Sequence, residues 1–158
     1  MSADPIKIRM AEYDVIEAPG SLVTIGLGSC VGIALHDPRS ELGGMIHVML
    51  PENKKGLKPA KYADTGLPLL VDEMEEKGAK RSRLVAKIAG GAAMFSISDN
   101  SSLNVGERNV EKVRQILKDM DVEIAGEDVG KDYGRTMKFF VESGEVVVSS
   151  HKEGEITL

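Results

Sequence analysis

The sequence contains one cysteine, no tryptophan and three histidines among its 158 residues. With a single cysteine, Cys30, no internal disulfide can form, so the fold cannot depend on oxidation. Aromatic residues make up only 4% of the chain, which disfavours an aromatic platform for stacked bases or sugars. His36, His47 and His151 lack the i, i+4 spacing of a helical zinc motif, so we expect no metal site.

The chain also lacks an excess of basic charge and long apolar runs. Its net charge is −5, so it has no basic surface to displace counterions from nucleic acid. No apolar run approaches the roughly 20 residues that span a bilayer, and the N-terminus lacks the pattern of a secretory leader. We expect one domain over residues 1–158 that is cytoplasmic, with no nucleic-acid partner and no direct membrane insertion.

The segment Gly26-Leu-Gly-Ser-Cys-Val-Gly32 places the cysteine on a glycine-rich bend. An isolated cysteine beside a strand is more often a small buried hydrophobe than a nucleophile. The functional alternative is a thiolate whose proton passes to the imidazole of His47, which would also stabilise an ion pair. Backbone N–H groups around Gly28, Ser29 and Cys30 would then hold the oxyanion of an acyl intermediate.

Two apolar runs flank a polar loop and predict a β-hairpin whose second strand carries His47. A turn centred on Pro38–Arg39 would place His47 directly opposite Cys30. A turn centred on Ser40–Glu41 would place it opposite Ala34 instead. In both registers the cysteine and the histidine share a face of the hairpin, because side chains alternate with a period of two.

A catalytic imidazole needs an orienting group on its second ring nitrogen. The sequence offers three candidates for His47: Thr24 on the preceding strand, Asp37 and Asp128. Each has an ordinary structural explanation, since threonine favours strands and loop carboxylates are mostly solvated. The residues alone leave this choice open.

Two amphipathic segments predict helices. The first follows Pro59 and ends near Gly78, and Pro68 is expected to kink or divide it. The second begins at Asn104, where Glu107 completes the spacing of a capping box. Strands fill most of the remaining chain, so the order of elements predicts an α+β fold with mixed sheets covered by helices on one side.

Six motifs occur in a familiar order and together resemble the CheD family of chemoreceptor glutamine deamidases. They are Gly26-Leu-Gly-Ser-Cys30, His47-Val-Met-Leu-Pro51, Lys61-Tyr-Ala-Asp64, Ala86-Lys-Ile-Ala-Gly-Gly-Ala-Ala-Met-Phe95, Gly106-Glu-Arg-Asn-Val110 and Glu127-Asp-Val-Gly130. The resemblance covers roughly positions 6–150. One departure is Lys131, where a second glycine is common.

The resemblance implies a three-layer α/β/β sandwich with two main helices on one side. It implies that Cys30 is the nucleophile, His47 the general acid/base and Thr24 the group that orients the histidine, with no cofactor. The substrates would be glutamines, and some methyl-esterified glutamates, in the cytoplasmic helices of methyl-accepting chemotaxis receptors. A CheC-type phosphatase is the expected partner of a monomer. The alternatives are a non-catalytic adaptor that regulates such a phosphatase, and a thiol redox sensor.

Overall fold

The computed structural model describes residues 4–56, 58–94 and 104–158. Within them, ten strands form two mixed sheets of five. The outer sheet has the order β1 (Ile6–Lys7), β3 (Ser21–Leu27), β8 (Arg135–Phe140), β9 (Glu145–Ser150) and β10 (Gly154–Thr157). The central sheet has the order β2 (Tyr13–Glu17), β5 (Leu42–Val48), β4 (Val31–Asp37), β6 (Val85–Gly90) and β7 (Glu123–Val129).

Two helices, α1 (Ala63–Glu76) and α2 (Val105–Asp119), complete the described fold together with short 3-10 turns at Pro59–Lys61 and Arg81–Arg83. Both helices pack on one face of the central sheet, where Leu67 and Leu117 join its buried aliphatic side chains. The opposite face packs against the outer sheet. The layers are therefore helices, central sheet and outer sheet, which confirms the predicted α/β/β arrangement. Within the described residues, no helix is long and apolar enough to cross a membrane.

The helices follow the sequence pattern at their N-termini and depart from it at the proline. The side chain of Asn104 accepts a hydrogen bond of 3.2 Å from the backbone N–H of Glu107, so α2 begins where the capping pattern predicts. Pro68 does not divide α1, which is one continuous helix of 14 residues. We attribute this to the buried apolar face on either side of the proline, which outweighs the hydrogen bond that its missing N–H costs.

The β4–β5 hairpin has neither of the two predicted registers. His47 pairs with Gly32, and the turn is centred between Arg39 and Ser40. The carboxylate of Asp37 explains this position, because its Oδ1 accepts the backbone N–H groups of Arg39 at 3.1 Å and Ser40 at 3.4 Å. Consequently His47 is opposite neither Cys30 nor Ala34.

Strand β7 also differs from expectation, since it continues to Val129 through residues that we expected to form a polar loop. It pairs in parallel with β6 at the edge of the central sheet, so its polar side chains alternate towards solvent. Strand β10 was not predicted. It is short, exposed and pairs only with β9 at the edge of the outer sheet, and such a strand leaves little hydrophobic pattern.

Candidate active site

Thr24 and His47 meet between the two sheets. Thr24 lies on β3 of the outer sheet and His47 on β5 of the central sheet, and the Thr24 Oγ1 is 2.6 Å from the His47 Nδ1. The two side chains are 1% and 0% exposed. Of the three residues proposed to orient the imidazole, the structure therefore brings Thr24 to it.

Gly32 makes this contact across the sheets possible. It pairs with His47 in the ladder, and a Cβ at this position would lie 3.3 Å from the Thr24 Cγ2 and 2.8 Å from the Met137 Sδ. Both distances are shorter than comfortable van der Waals contact, so a side chain here would displace those of Met137 and Thr24. A glycine thus lets Thr24 reach the imidazole on the neighbouring strand.

The hydroxyl of Thr24 fixes the tautomer of His47. This hydroxyl donates its single proton to the carbonyl oxygen of Ile8, at 2.6 Å. It must therefore accept the bond from the histidine, which places the imidazole proton on Nδ1 and leaves the Nε2 lone pair free. In the described part of the chain the buried Nε2 has no hydrogen-bond partner. The imidazole is thus oriented on one side and available as a base on the other.

Burial shifts the pKa values of the cysteine and the histidine apart. It raises the pKa of the Cys30 thiol, a shift that the residue's own backbone N–H opposes. It lowers the pKa of the His47 imidazole to about 4. At neutral pH the resting site therefore holds a neutral thiol and a neutral imidazole rather than the ion pair that the sequence suggested.

The bend that carries Cys30 is held by the end of β6. The N–H of Gly91 donates to the Cys30 carbonyl and the N–H of Ala92 donates to the Gly28 carbonyl, both at 2.8 Å. Gly90 has a φ of 113°, and a Cβ there would collide with the Cys30 carbonyl oxygen. Gly90 and Gly91 therefore form a close-packed support for the bend that carries the cysteine.

Cys30 faces the space between the sheets, where it belongs to the same buried cluster as Leu27, Ala34 and Met137. It precedes Gly32, the ladder partner of His47, by two residues. Such diagonal neighbours lie about 7–8 Å apart, a distance that the two side chains can bridge together. Cys30 is 8% exposed and His47 is 0% exposed, so the cysteine is the more accessible of the two residues.

The backbone donors near the cysteine are fewer than predicted. The N–H of Gly28 already donates to the Gly26 carbonyl, at 3.1 Å. Gly28 therefore supports the turn, while the amides of Ser29 and Cys30 have no such bond within the described residues. These two amides are the remaining candidates to stabilise an oxyanion.

The two candidate carboxylates bind arginines instead of the histidine. Asp37 is fully buried and accepts two bonds of 2.9 Å from the Arg83 guanidinium. Although burial opposes it, this pairing and nearby N–H groups hold the pKa of Asp37 well below its usual range. Asp128 accepts a bond of 3.0 Å from the buried Arg135. Both carboxylates stabilise loops, and neither orients His47.

Sequence reasoning missed two groups beside the site. One is the backbone carbonyl of Ile8, which no side-chain pattern reveals. The other is Asn109 on α2, whose side chain is fully buried and donates to the carbonyls of Ser29 and Met49 at 2.9 and 3.0 Å. Asn109 falls on the apolar face of an amphipathic helix, and a polar residue at such a position is a signal that could have found it.

Comparisons with known proteins agree with the motifs. A family model described as CheD chemotactic sensory transduction matches residues 49–150. A relative from Desulforamulus reducens is 46% identical over 147 residues, which cover 90% of this chain and 89% of the relative. One from Archaeoglobus fulgidus is 48% identical over 152 residues, 96% of each chain. The chain belongs to the CheD family.

Both relatives carry the name probable chemoreceptor glutamine deamidase CheD. A third relative with this name, from Moorella thermoacetica, is 48% identical over 148 residues, which cover 90% of this chain and 89% of the relative. The family-model match begins after Thr24, Cys30 and His47. A crystal structure of a hypothetical protein from Bacillus licheniformis, YfiH, aligns with a TM-score of 0.48 and 17% identity over 73% of this chain and 49% of that one. That similarity is too low to inform the fold or the site.

Proposed function

We propose that this CheD protein hydrolyses the side-chain amide of glutamines in chemotaxis receptors, through a thioester on Cys30. The relatives named as chemoreceptor glutamine deamidases support the reaction and the substrate. The observation that carries the mechanism is the chain of hydrogen bonds from the Ile8 carbonyl through Thr24 to His47, which leaves Nε2 free to act as a base.

In the first half of the reaction, the Cys30 Sγ attacks the amide carbon while its proton passes to the His47 Nε2. The amides of Ser29 and Cys30 stabilise the resulting oxyanion. When this intermediate collapses, the C–N bond breaks and His47 returns the proton to the nitrogen, which leaves as ammonia. The product is a thioester between Cys30 and the glutamyl side chain.

Water completes the reaction from the side that ammonia has vacated. His47 takes a proton from the water as it attacks the thioester, and the C–S bond then breaks. The thiolate of Cys30 recovers the proton, and the glutamyl side chain leaves as a carboxylic acid. The same steps would hydrolyse a methyl ester, with methanol as the leaving group, so glutamate methyl esters are a second substrate class for this site.

The test is mass spectrometry of a receptor cytoplasmic fragment before and after incubation with the purified protein. We expect specific glutamines to gain the mass difference between an amide and an acid, with release of ammonia. His47→Ala should lower kcat about 10²–10⁴-fold, the usual contribution of a general acid–base. His36→Ala is the matched control, because His36 lies on the adjacent strand, away from the site, and contacts Phe139. Equal activity of the two variants would contradict the assignment.

The expected partner besides the receptor is a CheC-type phosphatase, and the expected state is a monomer in the cytoplasm. Cys30→Ala separates catalysis from binding, because it removes only the sulfur atom. If folded Cys30→Ala protein still releases ammonia at the parent rate, the thioester mechanism is wrong. If neither protein releases ammonia but both bind the phosphatase, the protein is an adaptor instead.

A further inference from the structure

Asn109 connects the two segments of the chain that carry the cysteine and the histidine. Its amide nitrogen donates one hydrogen to the Ser29 carbonyl, next to Cys30, and the other to the Met49 carbonyl, two residues beyond His47. These acceptors lie 80 and 60 residues away in sequence. One side chain on a helix thus joins the bend to the strand.

The amide occupies the place where the sheet ladder stops. The β4–β5 pairing ends at Val31 and Val48, so the next residues on each strand, including Cys30 and Met49, have no ladder pair between them. Beyond the ladder, the described residues of the two segments bond to other parts of the chain: the Cys30 carbonyl accepts from the Gly91 N–H, and the Met49 N–H donates to the Lys61 carbonyl. Asn109 binds a carbonyl on each of the two segments and so links them directly.

The environment of Asn109 indicates that this role is not simply to stabilise α2. The side chain is fully buried, and its Oδ1 has no hydrogen-bond partner among the described residues. A buried carbonyl without a partner is destabilising, but an apolar residue here would remove the donors of two backbone carbonyls, those of Ser29 and Met49. The neighbouring buried positions of the helix, Val110 and Val113, are apolar.

We propose that Asn109 is a positioning residue, which holds the Cys30 bend against the strand of His47 so that a small movement brings the thiol to the imidazole for proton transfer. This rests on the roles proposed above for the cysteine and the histidine. Asn109 acts through backbone carbonyls and does not touch the substrate. It therefore sets the coupling between Cys30 and His47, and with it kcat, while KM depends on other surfaces.

The single cysteine allows this coupling to be measured without any substrate. We would measure the rate of alkylation of Cys30 by iodoacetamide in the parent, His47→Ala, Asn109→Leu and the double variant. Loss of the histidine should slow alkylation about tenfold in the parent, because the general base is removed. In the Asn109→Leu background, loss of the histidine should slow alkylation about threefold or less, since the thiol and the imidazole are no longer held together.

Asn109→Leu keeps the branched shape of the side chain, at a larger volume, and removes both hydrogen bonds. Asn109→Ala is the second variant if the leucine does not fold. Val113→Ala is the matched control, because it creates a fully buried defect one turn further along the same helix. We expect Val113→Ala to lower the Tm while His47→Ala still slows alkylation about tenfold in its background. With a receptor fragment, Asn109→Leu should lower kcat about tenfold with little change in KM.

The outcomes separate this inference from the proposed function. If His47→Ala slows alkylation equally in the parent and Asn109→Leu backgrounds, Asn109 does not position the cysteine, whatever the deamidase activity. If the coupling depends on Asn109 but no receptor glutamine is deamidated, the positioning role stands and the proposed substrate is wrong. If His47→Ala has no effect in the parent either, both the pairing and the positioning role are wrong.

Discussion

Replacing Thr24 with valine should disable the site while the fold survives. The two side chains have nearly the same shape, but valine lacks the hydroxyl that joins the Ile8 carbonyl to the His47 Nδ1, both at 2.6 Å. The substitution leaves a buried acceptor and a buried donor without partners, each of which costs about 1–3 kcal/mol. The additional methyl group returns about 1 kcal/mol. We expect a net loss of about 3 kcal/mol in the free energy of unfolding, within a range of about 1–5 kcal/mol.

Urea unfolding measures this loss, and the corresponding fall in Tm is roughly 5–12 °C for a domain of this size. Thr24→Ser is the matched control. It keeps the hydroxyl and loses only a methyl group, so its stability should fall by about 1 kcal/mol. Both variants should remain folded at 25 °C, which makes their activities comparable.

The activities of the two variants should differ far more than their stabilities. Without Thr24 Oγ1, nothing selects the tautomer with its proton on Nδ1, and the base on Nε2 is lost in a large part of the molecules. We expect Thr24→Val to lower kcat about 10²-fold or more, and Thr24→Ser about threefold or less. The ¹⁵N chemical shifts of the His47 ring should show a protonated Nδ1 in the parent and in the serine variant. A folded Thr24→Val protein as active as Thr24→Ser would refute the role of the hydroxyl.

Acid should destabilise the fold through His47, because its pKa of about 4 lies below the ordinary 6.5 of the unfolded chain. The unfolded state binds more protons between these two pH values, so the free energy of unfolding falls by roughly 3 kcal/mol from pH 6.5 towards pH 4. Urea unfolding of His47→Asn should show a smaller loss over this range than the parent. Equal losses would contradict the lowered pKa of His47. Asp37→Asn should cost about 3 kcal/mol of stability, because it breaks the ion pair between the buried Asp37 carboxylate and the partly exposed Arg83 guanidinium. It should leave kcat per folded molecule unchanged, and a selective loss of kcat would restore Asp37 as a catalytic candidate. Lys131→Gly should raise the Tm by about 2–4 °C, since Lys131 has a φ of 63° that glycine adopts without strain. Gly130→Ala, at a φ of 80°, is its opposite control and should lower the Tm.

Sequence patterns predicted those parts of the fold that depend on interactions between residues close together in the chain. The cap at Asn104 and the glycine-rich bend around Cys30 were identified because capping and turns involve residues close in sequence. The register of the hairpin was not, although its cause is equally local. The register depends on the side chain of Asp37, which accepts hydrogen bonds from the N–H groups of two turn residues and shifts the centre of the turn by one residue. The sequence showed the aspartate but not which of its possible partners it would bind.

The third member of the candidate site depended on packing that no local pattern encodes. Thr24 and His47 belong to different sheets, and they meet only because the sheets stack with Gly32 between them. Before the resemblance to the family, three groups were equally plausible partners for the imidazole. Asp37 was excluded only by its contact with Arg83, which lies 46 residues away along the chain. Such distant pairings are decided by the whole fold.

Burial of Cys30 argues against a redox sensor. A sensor cysteine needs a lowered pKa and an accessible sulfur, because the thiolate is the form that oxidants attack. Cys30 has the opposite properties, since burial raises the pKa of its thiol and leaves little of its surface exposed. Its reactivity therefore depends on a neighbouring base rather than on a resting thiolate. His47, with its proton fixed on Nδ1 and its Nε2 free, is such a base. In the proposed mechanism, such a thiol reacts slowly with small oxidants and becomes a nucleophile by passing its proton to the imidazole.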